Sequence, residues 1–330
     1  MLMTARYRDV MLMCLAVLLL GTGCGQVCGR AVPHHRLRGA ASVGRLQNVT
    51  LTNASLSPIG RLGGEVSLEG CLIENFGPAL FGLLVRTECL TLRGGFIPTV
   101  TFNSHALDTL VIDATGLKLF DVLPSEVAYA KLRILQITRT KLEHLTSNLS
   151  LLVGLKRLDL SQNQLAYVDL DVLGAMQRLR DLDLSVNRIV RLDASPELQL
   201  AGLRNLWVSY NRLRSFGAFP GAFPALDTVR LIGNAWHCAW VDRARANIIR
   251  HGITAFGADY DCPGERQGGL CCYGGADDVL GEEEAQTTTS TPLDTGIGTQ
   301  PANGDDLTLR ESNRSTEPIG VRYGDVEIFL

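Results

Sequence analysis

The chain has 330 residues, of which 46% are hydrophobic and 20% charged, enough apolar material for one large domain or two ordinary ones with a real core. Its formal net charge of −3 argues against a nucleic-acid-binding protein, which is usually basic.

Arg6 and Arg8 precede the apolar run VMLMCLAVLLL at residues 10 to 20, and the small residues GTG follow. That order predicts a secretory signal peptide over residues 1–23. About eleven apolar residues fall short of the roughly twenty that span a bilayer, so a secreted protein is expected rather than a membrane-anchored one. Removal of the signal takes Cys14 with it and leaves eight cysteines: Cys24, Cys28, Cys71, Cys89, Cys238, Cys262, Cys271 and Cys272. An even number in an oxidising compartment reads as a disulfide framework. The sequons at Asn48, Asn53, Asn148 and Asn313 agree with a glycosylating pathway.

Residues 24–60 hold Cys24, Cys28 and the stretch RLQNVTLTNASL, an expected N-terminal cap strand or degenerate repeat. From residue 61 to 236 the pattern L-x-x-L-x-L-x-x-N-x-L recurs about eight times. The clearest copies are LKRLDLSQNQL from Leu155, LRDLDLSVNRI from Leu179 and LRNLWVSYNRL from Leu203. The fourth position falls at 66, 90, 110, 135, 158, 182, 206 and 229, a near-constant step that a coiled coil or an accidental leucine-rich core would not hold. The prediction is an α/β leucine-rich-repeat solenoid, a horseshoe with a parallel β-sheet on its concave face. The two leucines of each L-x-L point inward, and the asparagine amide satisfies backbone groups left unpaired at the bend. Thr115 and Thr140 replace that asparagine in earlier copies, which are expected to be looser.

After Asn234 the repeat frame is expected to stop and a C-terminal cap to occupy residues 237–275. Trp240, Ala244, Ile248 and Ile249 fit one face of a helix that would cover the last coil. Within the cap, a bond between the adjacent Cys271 and Cys272 would be strained. Two long links are therefore expected, joining Cys238 and Cys262 each to one member of the pair. The rival is a free member available for an intermolecular bond. Upstream, Cys71 is expected to bond Cys89, and Cys24 to bond Cys28. Residues 276–330 carry twelve acidic and three basic side chains amid Thr, Ser and Pro, and are predicted to be a disordered acidic tail.

No phosphate loop, G-x-S-x-G or H-E-x-x-H occurs, and His237–Cys238 lacks a second ligand pair at zinc-like spacing. The expectation is a protein that is not an enzyme and uses no cofactor or metal. The concave column, read between the strand leucines, is Ser67, Thr91, Val111, Gln136, Asp159, Asp183, Trp207 and Arg230. Trp207, with Tyr210 just past its strand, is the candidate anchor for a partner. Asp159 and Asp183 would repel without cations, which Arg157 and Arg230 are placed to supply.

The repeats followed by GNAWHC resemble extracellular leucine-rich-repeat proteins with a cysteine-containing cap. Ala235 stands in place of the common proline, and Trp240 in place of a second cysteine. The order Cys238, Cys262, Cys271–Cys272 resembles the double-cysteine cap of the leucine-rich-repeat immune proteins of mosquitoes. With no heptads after the cap, the chain resembles their coil-less branch. The resemblance implies a secreted haemolymph protein of innate immunity, in a family of which some members bind complement-like thioester proteins. The resulting expectation is a secreted recognition or scaffold protein binding an extracellular protein or microbial surface. The alternative is a matrix or adhesion protein with a mucin-like tail.

Overall fold

Leucines two residues apart point to one side of an extended chain, and a repeat near 24 residues returns each pair to the same place one coil further on. The chain accordingly forms a leucine-rich-repeat solenoid. The computed structural model describes residues 44–51 and 64–274, and the backbone alone of Val321–Tyr323 and Val326–Ile328. Ten strands stack in chain order into one parallel sheet. They are β1 (Gly44–Gln47), β2 (Gly64–Glu69), β3 (Thr87–Arg93), β4 (Thr109–Asp113) and β5 (Ile134–Thr138). There follow β6 (Arg157–Asp159), β7 (Asp181–Asp183), β8 (Asn205–Trp207), β9 (Thr228–Arg230) and β10 (Thr254–Ala255).

The register holds from coil to coil apart from one shift, between Gly64 and Glu65 where β2 meets β3. Val66, Leu90, Leu110, Leu135, Leu158, Leu182, Leu206 and Val229 lie opposite one another, coil to coil, and all are buried. The convex side is mostly irregular. It holds the short helix α1 (Pro78–Leu83), two 3-10 turns, and two parallel pairs, Thr99–Phe102 with Leu119–Val122 and Tyr167–Asp169 with Arg191–Asp193. A run of edge-on rings, Phe76, Phe81, Phe102 and Tyr129, fills the early convex core at centroid spacings of 4.9 to 5.3 Å.

The asparagines form a ladder behind the sheet. The side-chain amide of Asn187 donates to the carbonyls of Leu160 (3.0 Å), Leu184 (3.0 Å) and Ser185 (3.3 Å), while its Oδ1 accepts from the Leu165 N–H at 3.1 Å. Asn163, Asn211 and Asn234 repeat the arrangement. Each asparagine thus ties its own bend to the coil before it. Thr140 donates its hydroxyl to Asn163, but the buried Thr115 hydroxyl has no partner among the described residues. The residue before each rung lies in the left-handed region: Ala114, Arg139, Gln162, Val186, Tyr210 and Gly233, with φ from 54° to 70°.

Cys71 occupies the same rung in an early coil, which corrects the expected Cys71–Cys89 bond. Its buried thiol is free and donates to the Glu69 carbonyl at 3.6 Å, as the amides do further on. Cys89 instead lies opposite Glu65, a strand length away. It is disulfide-bonded, and no other described cysteine is its partner. Cys24 and Cys28 lie outside the described residues, as do the expected signal peptide and the expected acidic tail, apart from the short antiparallel pair Val321–Tyr323 and Val326–Ile328.

The frame does not stop at Asn234, contrary to expectation. Helix α2 (Cys238–His251) takes the convex path of one more coil, ends at Gly252 with φ 65°, and leads into β10, which pairs with β9. The buried face of α2 carries Trp240, Val241, Ala244 and Ile248; Ile249 was expected there but is 61% exposed. The indoles of Trp236 and Trp240 stack at 4.0 Å and donate to the carbonyls of Leu231 and Phe216. Cys238 bonds Cys272 and Cys262 bonds Cys271, so both members of the adjacent pair are engaged by earlier cap cysteines. The Asp259 carboxylate ties the cap to the last coil, accepting from the N–H groups of Gly233 (2.8 Å) and Cys271 (2.9 Å).

Candidate functional site

The concave column changes character along its length. Thr91 and Val111, in the early coils, are buried. From Gln136 onward the outward positions gain exposure, and Asp159, Asp183, Trp207 and Arg230 occupy adjacent coils in strict register. Strands about 4.8 Å apart place these side chains side by side. Trp207 is half-buried and stands between Asp183 and the exposed Arg230.

Each aspartate is held by a serine two residues on. Asp159 Oδ1 accepts from the backbone N–H (3.0 Å) and hydroxyl (2.7 Å) of Ser161. Asp183 is bound in the same way by the Ser185 N–H at 2.8 Å and, closely, by the Ser185 hydroxyl. Burial pushes the Asp159 carboxyl above the usual aspartate range; the Ser161 bonds oppose this, and the neighbouring Asp183 charge adds to it.

Arg157 does not bridge the two aspartates as expected. Its guanidinium turns to Asp181 at 3.3 Å, two positions before the column. Asp181 also accepts from the Asn205 amide at 2.6 Å, and Thr228 donates to Asn205. A continuous polar row, Arg157–Asp181–Asn205–Thr228, therefore runs beside the column and consumes that arginine. Arg230 makes no ion pair among the described residues. Tyr210 lies outside the column, at the left-handed turn after β8, where its ring covers Gly233 so closely that a Cβ there would come within 2.5 Å of it.

Two contributors escaped the sequence reading. Phe256 follows β10 and continues the column beyond Arg230, its N–H donating to the Val229 carbonyl at 3.0 Å. The polar row has the same period as the column but occupies the residue before the first leucine, where its mixed Arg, Asp, Asn and Thr side chains carry no single compositional signal. Of the sequons, Asn48 is exposed just past β1, whereas the Asn148 amide donates to Asp121 at 3.2 Å; Asn53 and Asn313 lie outside the described residues. Glu265 sits beside Cys238 and Cys272, but bonded sulfurs offer no thiolate to a metal.

Neither a protein-family model nor a curated protein sequence matches the chain. Among solved structures, it is similar to a chain of the LRIM1/APL1C complex, at 17% identity and a TM-score of 0.53, over 69% of this chain and 54% of that one. The match thus spans about half the length of that relative. It is also similar to an APL1 leucine-rich repeat domain, with 18% identity, 71% and 78% coverage and a TM-score of 0.43. A leucine-rich-repeat protein of Leptospira interrogans follows at 19% identity, 68% and 62% coverage and a TM-score of 0.46. The first likeness agrees with the solenoid built above from the register and the ladder. Among the described residues, no helix is long and apolar enough to cross a membrane.

Proposed function

We propose that the protein is a secreted, non-enzymatic recognition molecule that binds a protein partner through the C-terminal half of its concave face. The observation that carries this reading is the column Asp159–Asp183–Trp207–Arg230, in which an indole is presented between an anionic and a cationic end. A half-exposed tryptophan flanked by charges has the composition of an interaction hot spot, apolar at its centre and polar around it. The two aspartates favour a partner that brings a cation to them, and the free Arg230 favours an anion two coils away. The resemblance of the cap to mosquito immune proteins supports innate immunity as the setting, with a complement-like thioester protein or a microbial surface as the partner.

The test is affinity capture from the native body fluid with the mature protein, wild type beside Trp207→Ala. Loss of the captured partner on substitution supports the reading. Undiminished capture by the variant moves the binding surface elsewhere, and recovery of the protein only from insoluble matrix favours an adhesion role for the Thr/Ser/Pro-rich chain.

A further inference from the structure

The rim where each strand gives way to the bend carries a second pattern. All six coils from β4 to β9 hold one residue there in the left-handed region, a conformation that suits glycine and strains most others. Arg139 has a local use for the position, since its guanidinium reaches Asp113. Ala114 is small and Gln162 polar. Val186 is different: it is β-branched, the type least tolerant of φ 57°, and it is 46% exposed. In the next coil Tyr210 repeats the choice at φ 56° with 54% exposure. Two large apolar side chains are thus displayed in water, side by side, on backbone that a glycine would adopt without strain.

The next rows add charge. Arg188 and Arg212 follow the ladder asparagines in these same two coils, and the Arg212 N–H donates to the Ile189 carbonyl at 2.9 Å, so the coils are directly bonded here. Two residues further on stand Val190, 55% exposed, and Arg214. All three arginines are exposed, and none makes a side-chain hydrogen bond or ion pair among the described residues. The flanking carboxylates are already engaged, Asp183 by Ser185 and Asp193 by Arg191 and Tyr167. The rim is therefore cationic and apolar at once.

We infer that this rim, with Val186, Tyr210 and Val190 as apolar contacts and Arg188, Arg212 and Arg214 as cations, is a second binding surface. It is separate from the concave column, and its occupant is an acidic segment of a partner protein. Guanidinium groups match carboxylates in planar, two-pronged fashion, and free cations without local acids demand anions from outside. The exposed Val186, Val190 and Tyr210 select a polypeptide over a sugar polyanion, because only a polypeptide interleaves apolar side chains with its carboxylates. Strain retained at an exposed site points to use rather than to folding.

Substitution Val186→Gly separates the two roles, because it relieves the backbone while deleting the contact. The probe is a short fluorescein-labelled peptide in which Glu alternates with Leu and Tyr, followed by anisotropy on the mature full chain. Heparin and a Lys-for-Glu peptide serve as controls. Val186→Gly is expected to raise the melting temperature yet weaken probe binding about fivefold. Arg188→Gln with Arg212→Gln should weaken it about tenfold, flatten its salt dependence and leave melting unchanged. Trp207→Ala should leave probe binding intact, which separates this surface from the concave one. Wild-type binding no tighter than that of the Lys peptide overturns the inference, as does full binding by both rim variants. Loss of binding in Trp207→Ala alone assigns the peptide to the concave face instead. Tight heparin binding that ignores Val186→Gly reduces the rim to a general polyanion patch.

Discussion

Asp159 keeps a carboxylate where the sheet gives it little water, and stability should register that. Its pKa is raised by burial, so the folded state holds a proton that the unfolded chain has already released. The stabilisation from this proton is complete below the ordinary aspartate range and is lost as pH rises through the raised value. Asp159→Asn should therefore be more stable than wild type at neutral pH, with the difference vanishing near pH 4, as urea melts at the two pH values would show. Asn retains an acceptor for Ser161, so the local turn survives. Trp207→Ala should behave oppositely: a loss of about 2 kcal/mol in partner binding, roughly thirtyfold, and little change in melting. A drop in melting temperature with capture intact would make the indole structural. The column itself was legible from the repeat, since a fixed period fixes neighbours. What Arg157 would do was not: its side chain had aspartates available one position to either side of the strand leucine, and only packing decides between Asp159 and Asp181.

The ladder governs each coil and its bond to the one before. Asn187→Ala would orphan the buried Leu165 N–H, while the carbonyls of Leu160, Leu184 and Ser185 each keep another donor, from Asn163, Asn211 and Gln162. A loss of about 1–3 kcal/mol is expected in chemical denaturation, the cost of one unsatisfied buried group. Thr115→Asn should gain about 1 kcal/mol by giving the orphaned rung an amide. Counting five residues on from Val66 lands on Cys71, so its place on the ladder was written in the sequence and was obscured by reading cysteines as disulfide partners first. β10 was harder to find. Ala255 and Gly257 fill the slots that leucines hold elsewhere, and a Cβ on Gly257 would come within 3.0 Å of Ile232, so the tight final coil admits no leucine signal. The exposure of Ile249 has a similar origin: α2 lies on the solenoid along the Trp240–Ala244–Ile248 line, and Ile249 is turned past its edge.

At the scale of the molecule, the two cap disulfides should contribute unequally. Cys238–Cys272 spans 34 residues and Cys262–Cys271 only 9, so the chain-entropy model assigns about 4 and about 3 kcal/mol. Replacing each pair by serines and comparing melting curves should show the larger drop for Cys238–Cys272; equal losses would mean that native packing rather than loop closure sets the effect. Cap and coils are joined at the last coils, through Phe216, Gly233, the Leu231 carbonyl and the pairing of β10 with β9. That narrow junction has a consequence for inheritance. A recombination event that duplicated or deleted one whole coil between Leu132 and Leu203 would leave every cap contact untouched, while lengthening or shortening the concave face by about 4.8 Å. The gene could thus change the reach of its product in single steps, with nothing at the C-terminal end to repair.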